Sequence, residues 1–271
     1  VTASNTIQLG NTDVTDVKTS GTITAGAITI PNTDGTANQV LKTDGSGVLG
    51  WTTVSSGGSS AIDGLSDAKL GGTNFTGSML LGHQTTGTLN NADYNVGVGG
   101  STFKALTSGD KNTATGYEAL KSNTTGSYNT ANGYHTLKSN TTGDHNTATG
   151  REALYSNTEG NNNTANGDGA LFNNTTGSYN TANGNEALKS NTTGSRNTAN
   201  GRQALYSNTT GDRNTANGFY ALYSNTTGTF NTANGYEALQ ANTTGSSNIA
   251  TGYRALRSNT TGGNNTANGF Y

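Results

Sequence analysis

The chain of 271 residues is only 29% hydrophobic and 11% charged, with 40 Gly, 1 Pro, no Cys and a net charge of −2. Much of the apolar share that a globular chain fills with Leu, Val and Ile is taken here by Gly, which has no side chain to bury, so a single deep core is not expected. The low charge, with 12 Tyr and 6 Phe, equally excludes the charge-rich, aromatic-poor signature of disorder. No Lys/Arg cluster draws the chain to nucleic acid or to an anionic membrane. No apolar run approaches the ~20 residues that a membrane-inserted helix needs. The absence of Cys removes disulfides, thiolate zinc sites and thiol catalysis together. Residues Val1 to Asn11 have no basic start followed by an apolar stretch, so no secretion signal is expected there.

In chain order, residues 1–54 are expected to form a β-rich attachment or trimerisation region. The stretch "GTITAGAITIPN" (Gly21 to Asn32) has strand character, and its Ile parity shifts between Ile23 and Ile28, so Gly26 marks a bulge or bend. Asp34-Gly35 and Asp44-Gly45 are hairpin-type turn signals. The stretch "GTANQVLKTDGSGVLGWTT" surrounds the second of these and contains the only Trp, Trp51. It resembles a "G-T-A-x-Q-V-L" phrase common in phage tail fibres and related fibrous proteins. "SSGGSS" (Ser55 to Ser60) reads as a flexible linker, assigned to 55–62. Residues 63–94 connect this linker to a repetitive region. The run "LSDAKLGGTNFTGSMLLGHQTTGTLNNADYNVGVG" is similar to segments that introduce repeat arrays in marine phage fibres. These resemblances imply a fibre.

Residues 95–271 repeat themselves. From Asn112 the phrase returns every 17 residues through Asn129, Asn146 and Asn163 to Asn265, and a cruder copy, "NVGVGGSTFKALTSGDK", runs from Asn95 to Lys111. Seventeen residues are too few for a helix pair, whose periods run at roughly 33–47. Thr favours strands, while Asn and Gly favour turns. The expectation is a parallel β-solenoid (β-roll), one coil per repeat, each with two short strands and two turns. Coils would stack at about 4.8 Å, making roughly 50 Å for ten.

Counting places from the first Asn of each coil, the Ala at the third place (Ala131) and the Leu at the ninth (Leu137) are expected inward. The Gly at the fifth (Gly133) and fifteenth (Gly143) places are expected to supply the positive φ of turns. Asn at the first and twelfth places (Asn129 and Asn140) is expected to form side-chain ladders between coils. The "NTT" sequence also fits a glycosylation acceptor, but a glycan on every coil would crowd its neighbours. One Leu and two Ala per coil contribute about 2–4 kcal/mol, less than ordering the coil costs. Association around an axis that buries the Leu row, a homotrimer, is therefore expected.

The phrases "NTATGYEAL" and "NIATGYRAL" are similar to the Gly-punctuated repeats of YadA-like trimeric adhesin heads. That resemblance implies left-handed parallel β-rolls with three chains side by side.

Chemistry is sparse. His83, His135 and His145 do not recur with the repeat, and Asp34 and Asp44 are too few oxygen ligands for a calcium loop. "GVGGS" (Gly97 to Ser101) lacks the following Lys of a phosphate loop. No active site, cofactor or metal is expected. Aromatic rows can stack host-surface glycans or a protein, which makes Tyr117, Tyr134, Phe219, Tyr236 and Tyr253 candidate receptor contacts. The competing reading is that these rings stack on one another and shield the coil edges. Places 6, 7, 10, 16 and 17 vary without order and read as a solvated face tolerant of change.

The expected function is structural: part of a phage tail fibre or similar virion appendage that spaces and presents a host-recognition tip. Its partners would be itself, other virion or surface-appendage proteins, and host-surface glycans. Its place would be the virion or the extracellular surface. A bacterial cell-surface adhesin or extracellular filament is the alternative. An ice-binding solenoid ranks below both, because Thr is interrupted by Asn, Gly and aromatics.

Overall fold

A computed structural model describes residues 89–270 continuously, residues 74 and 76–82, and the strands at 23–25, 28–30, 39–43, 49–53 and 68–70. Among the described residues every regular element is a strand. The chain divides into two units, Val1–Ser60 and Ala61–Tyr271.

In the first unit, β1 (Ile23–Ala25) pairs antiparallel with β2 (Ile28–Ile30), with Ala25 opposite Ile28. Gly26, read as a bulge or bend from the shift in Ile parity, lies outside the described residues. A second antiparallel pair, β3 (Gln39–Thr43) and β4 (Leu49–Thr53), sets Leu41 opposite Trp51. Both Asp-Gly pairs and the 55–62 linker lie outside the described residues.

The second unit is the β-solenoid. Strand β5 (Ala68–Leu70) runs antiparallel to β6 (Met79–Leu81). Next come β7 (Val96–Val98), β8 (Thr113–Thr115) and one strand every 17 residues to β17 (Thr266–Asn268). From β6 onward all pair parallel in chain order. Register is strict, so that Ala131 stands beside Ala148 and Ala148 beside Ala165.

The stack reaches back one coil further than the repeat suggests. Met79 pairs with Val96, and the Ser78 hydroxyl accepts the Asn95 N–H at 2.7 Å, taking the role of a first-place Asn. The sequence hid this coil because Leu80, Leu89 and Ala92 stand where later coils have Ala, Asn and Gly. This coil and the next also provide a heavier apolar end, with Leu80, Phe103 and Leu106 fully buried.

Each coil has one strand, where two were expected. The second arm does bond to the next coil, as from Leu137 N to Ala153 O at 3.0 Å and from Ser139 N to Tyr155 O at 3.0 Å. However, His135 (φ 57°) and Leu137 (φ 50°) are left-handed, and Asn140 N turns back to Leu137 O at 3.2 Å. Amides on this arm alternate between the next coil and their own turn, which an extended strand cannot do. A non-Gly residue in that region costs roughly 1–2 kcal/mol. The arm tolerates it because it folds Leu137 into the coil, where it is fully buried.

That burial removes the premise of the trimer argument. Leu120, Leu137, Leu154, Leu171 and Leu188 are each enclosed at 0% exposure by their own chain, together with the Ala residues of the third and eighth places. No second chain is needed to cover the row.

The two Gly rows serve different ends. Gly133 has φ 138°, as a turn requires. Gly143 is not at positive φ; a Cβ there would lie 2.5 Å from both Gly160 O and Asn140 Oδ1. It is Gly because the next coil and an Asn side chain occupy the space.

Candidate functional site

The polar side chains form rows that run coil to coil. At the twelfth place Asn140 Nδ2 donates to Asn123 Oδ1 at 2.7 Å and to Gly143 O at 2.9 Å. The same amide row continues, at up to 3.0 Å per link, to Asn259. Both donors of Asn140 are used and the residue is 0% exposed, so the folded coil offers no amide to a glycan. At the first place the link is of another kind. Asn129 Oδ1 accepts the backbone N–H of Asn146 at 2.9 Å, while Asn129 Nδ2 crosses its own coil to Gly143 O at 2.8 Å. Gly143 O thus takes one bond into each lone pair, and the expected residues Asn129, Asn140 and Gly143 meet at one point.

Two rows escaped sequence reading. Asn166, Asn183, Asn200 and Asn217, at the fourth place, each donate to the next coil's Asn at 2.7–2.9 Å. At the sixteenth place the backbone N–H of one coil is taken by the side-chain oxygen of the next, as from Ser127 N to Asp144 Oδ1 at 2.6 Å. The signal was present: Asp, Ser, Asn and Thr alternate there, and all are short oxygen acceptors.

The other variable places are matched between neighbours. Arg151 forms a forked pair with Asp168 at 2.9 and 3.1 Å, both at the sixth place. Buried Glu118 accepts from Lys121 at 2.6 Å and Lys138 at 2.7 Å, and His135 Nε2 lies 3.2 Å from its carboxylate. The two ammonium hydrogen bonds, Lys121 first and then Lys138, pull the Glu118 carboxyl down to about 2. Burial, aided by the Lys138 charge, lowers the His135 pKa below its ordinary value, so the ring is neutral at pH 7. His135 is thus a partner in a packed cluster, where a surface His was expected. Glu237 repeats the scheme with Arg254 and Arg257, each at 2.8 Å. No group of three or more His, Cys, Asp or Glu among the described residues could hold a metal ion.

The candidate receptor contacts stack on each other. Tyr117 and Tyr134 lie 5.7 Å apart between ring centroids. Phe219, Tyr236, Tyr253 and Phe270 form one column at 5.4, 5.2 and 4.8 Å. Arg202 covers the other face of Phe219 at 5.6 Å. Ring faces inside this column are taken, leaving edges and hydroxyls outward. The geometry favours mutual shielding over sugar stacking. No helix among the described residues is long and apolar enough to cross a membrane. No protein-family model, curated protein or solved structure matches the chain.

Proposed function

We propose that the chain is a structural segment of an extended appendage, a phage tail fibre or similar virion appendage, that spaces and presents a recognition element. The observation that carries this reading is the self-completion of the coils. Each coil supplies the hydrogen-bond acceptors and apolar cover of the next, through Asn140, Gly143 and Leu137 and their equivalents. A stack built this way gains length at constant cross-section, which suits a spacer. Three chains side by side, other appendage proteins as partners and a surface location belong to the same proposal, and rest on the sequence resemblances.

The test is to remove residues 163–196, two coils in register. A spacer with this deletion folds, is shorter by two coils, and retains surface binding by the assembled fibre. Loss of binding with folding intact selects the adhesive-shaft reading. Light scattering of the purified chain at the mass of 27.5 kDa would count against the trimer.

A further inference from the structure

Strands β8 to β17 turn their middle residue inward and the residues on either side outward. The first outward residue is Thr in eight successive coils, from Thr113 to Thr232, then Ile249 and Thr266. The second is Thr or Asn in all ten strands, and no charged or aromatic residue stands at either place. Parallel pairing in strict register sets neighbours about 4.8 Å apart along the stack, and the two columns about 6.6 Å apart across it. Only backbone lies between the columns, because the Ala residues between them point inward.

The chain treats these Thr unlike those of the thirteenth place, and the likewise unused hydroxyls of the fourteenth place lie outside the strands. At the thirteenth place each hydroxyl from Thr107 to Thr243 is used internally, as from Thr141 Oγ1 to Thr158 O at 2.9 Å. Along the outward column the hydroxyls of Thr130 to Thr232 have no hydrogen-bond partner within the chain, among the described residues. The adjoining Asn amides from Asn166 to Asn234 are locked to one another, which fixes their orientation.

We propose that this face binds ice. It is a rigid pair of columns, one of free Thr hydroxyls and methyls and one mostly of mutually bonded Asn amides, whose trough can hold ordered water, and bridging water of that kind joins surfaces without direct contact. An uncharged face suits an uncharged lattice. A crystalline polysaccharide would be held on open ring faces, and the rings of this chain lie at other places and cover one another. A second copy is disfavoured by area: ten strands give a patch of about 45 by 7 Å, well under the ~800 Å² per partner of a stable interface. The Gly and aromatic residues that interrupt Thr along the sequence stand at other places of the coil and leave this face unbroken.

The experiment measures thermal hysteresis and inhibition of ice recrystallisation by the full chain. Both activities are expected. The pair Thr181→Lys and Thr198→Lys abolishes them with unchanged melting, while Thr193→Lys and Thr210→Lys, at exposed Thr of the fourteenth place, leave them intact. The unsubstituted chain is decisive even where a variant misfolds, since lack of both activities overturns the proposal. So does adsorption to crystalline cellulose that the face substitutions alone remove, or a dimer in solution that they alone dissociate.

Discussion

Gly143 and Asn140 show how little room a single residue has. Gly143→Ala drives a Cβ to 2.5 Å from Gly160 O and Asn140 Oδ1. We expect a loss at or above the upper end of the ~1–3 kcal/mol typical of overpacking, measured by denaturant unfolding. The sequence made this Gly conspicuous but for the wrong reason, because a turn and a close approach leave the same letter. It was silent about Leu137: nothing in propensity announces a left-handed Leu, which exists only because the coil closes around it. Glu118 carries a pH dependence. Its folded pKa of about 2 lies below its ordinary value, so its stabilisation is present above that value and is lost as pH falls toward 2. His135, also depressed, binds its proton less readily when folded, so acid costs stability from about pH 6.5 downward. Both act in one direction. The melting temperature should fall steadily on acidification from neutrality, and Glu118→Gln should flatten the part below about pH 4. A melting temperature that rises with acid would refute the assignment.

A coil was largely legible as an element, since an unbroken Asn and Gly spacing of 17 residues leaves few alternatives to a stacked β turn. Its second arm was not, because left-handed residues change the bonding pattern without changing composition. Most of the variable places are exposed or half-buried, as the sequence suggested, but their order was not visible. Tyr117, Arg151, Asp168 and Arg202 look unordered along the chain, but each is read by its neighbour in the adjacent coil, and one sequence line does not display that adjacency. Excision of residues 163–196 therefore brings Arg151 against Arg202 in place of its Asp168 partner. The shortened chain should fold and melt lower, by less than the loss of one buried Leu, because such exposed pairs are weak. Arg202→Asp in that background should restore part of the difference, whereas in the intact chain it removes the cation over Phe219 and should not stabilise. Equal effects in both backgrounds would show that neighbour matching carries no energy.

At the scale of the whole solenoid, contacts run only between adjacent coils, so stability is a sum of coil and interface terms. Leu188 is fully enclosed, whereas Leu256 is only partly buried against the core at the last full coil. Hydrogen exchange should therefore be slowest in the coils around residues 163–213 and faster toward 265. Uniform exchange along the stack would indicate a single cooperative unit instead. The near-identity of the coils also has a meaning for heredity. Gain or loss of 17 codons leaves the reading frame and wall of the coil unchanged, and alters reach by about 4.8 Å. Recombination between such similar stretches of gene is a ready source of length variants. The matched side chains at the sixth place act on that process as a filter, passing exchanges that join compatible neighbours and penalising those that set Arg against Arg. Selection can tune distance by counting copies, while the order of the copies keeps a memory of which neighbours have been tried.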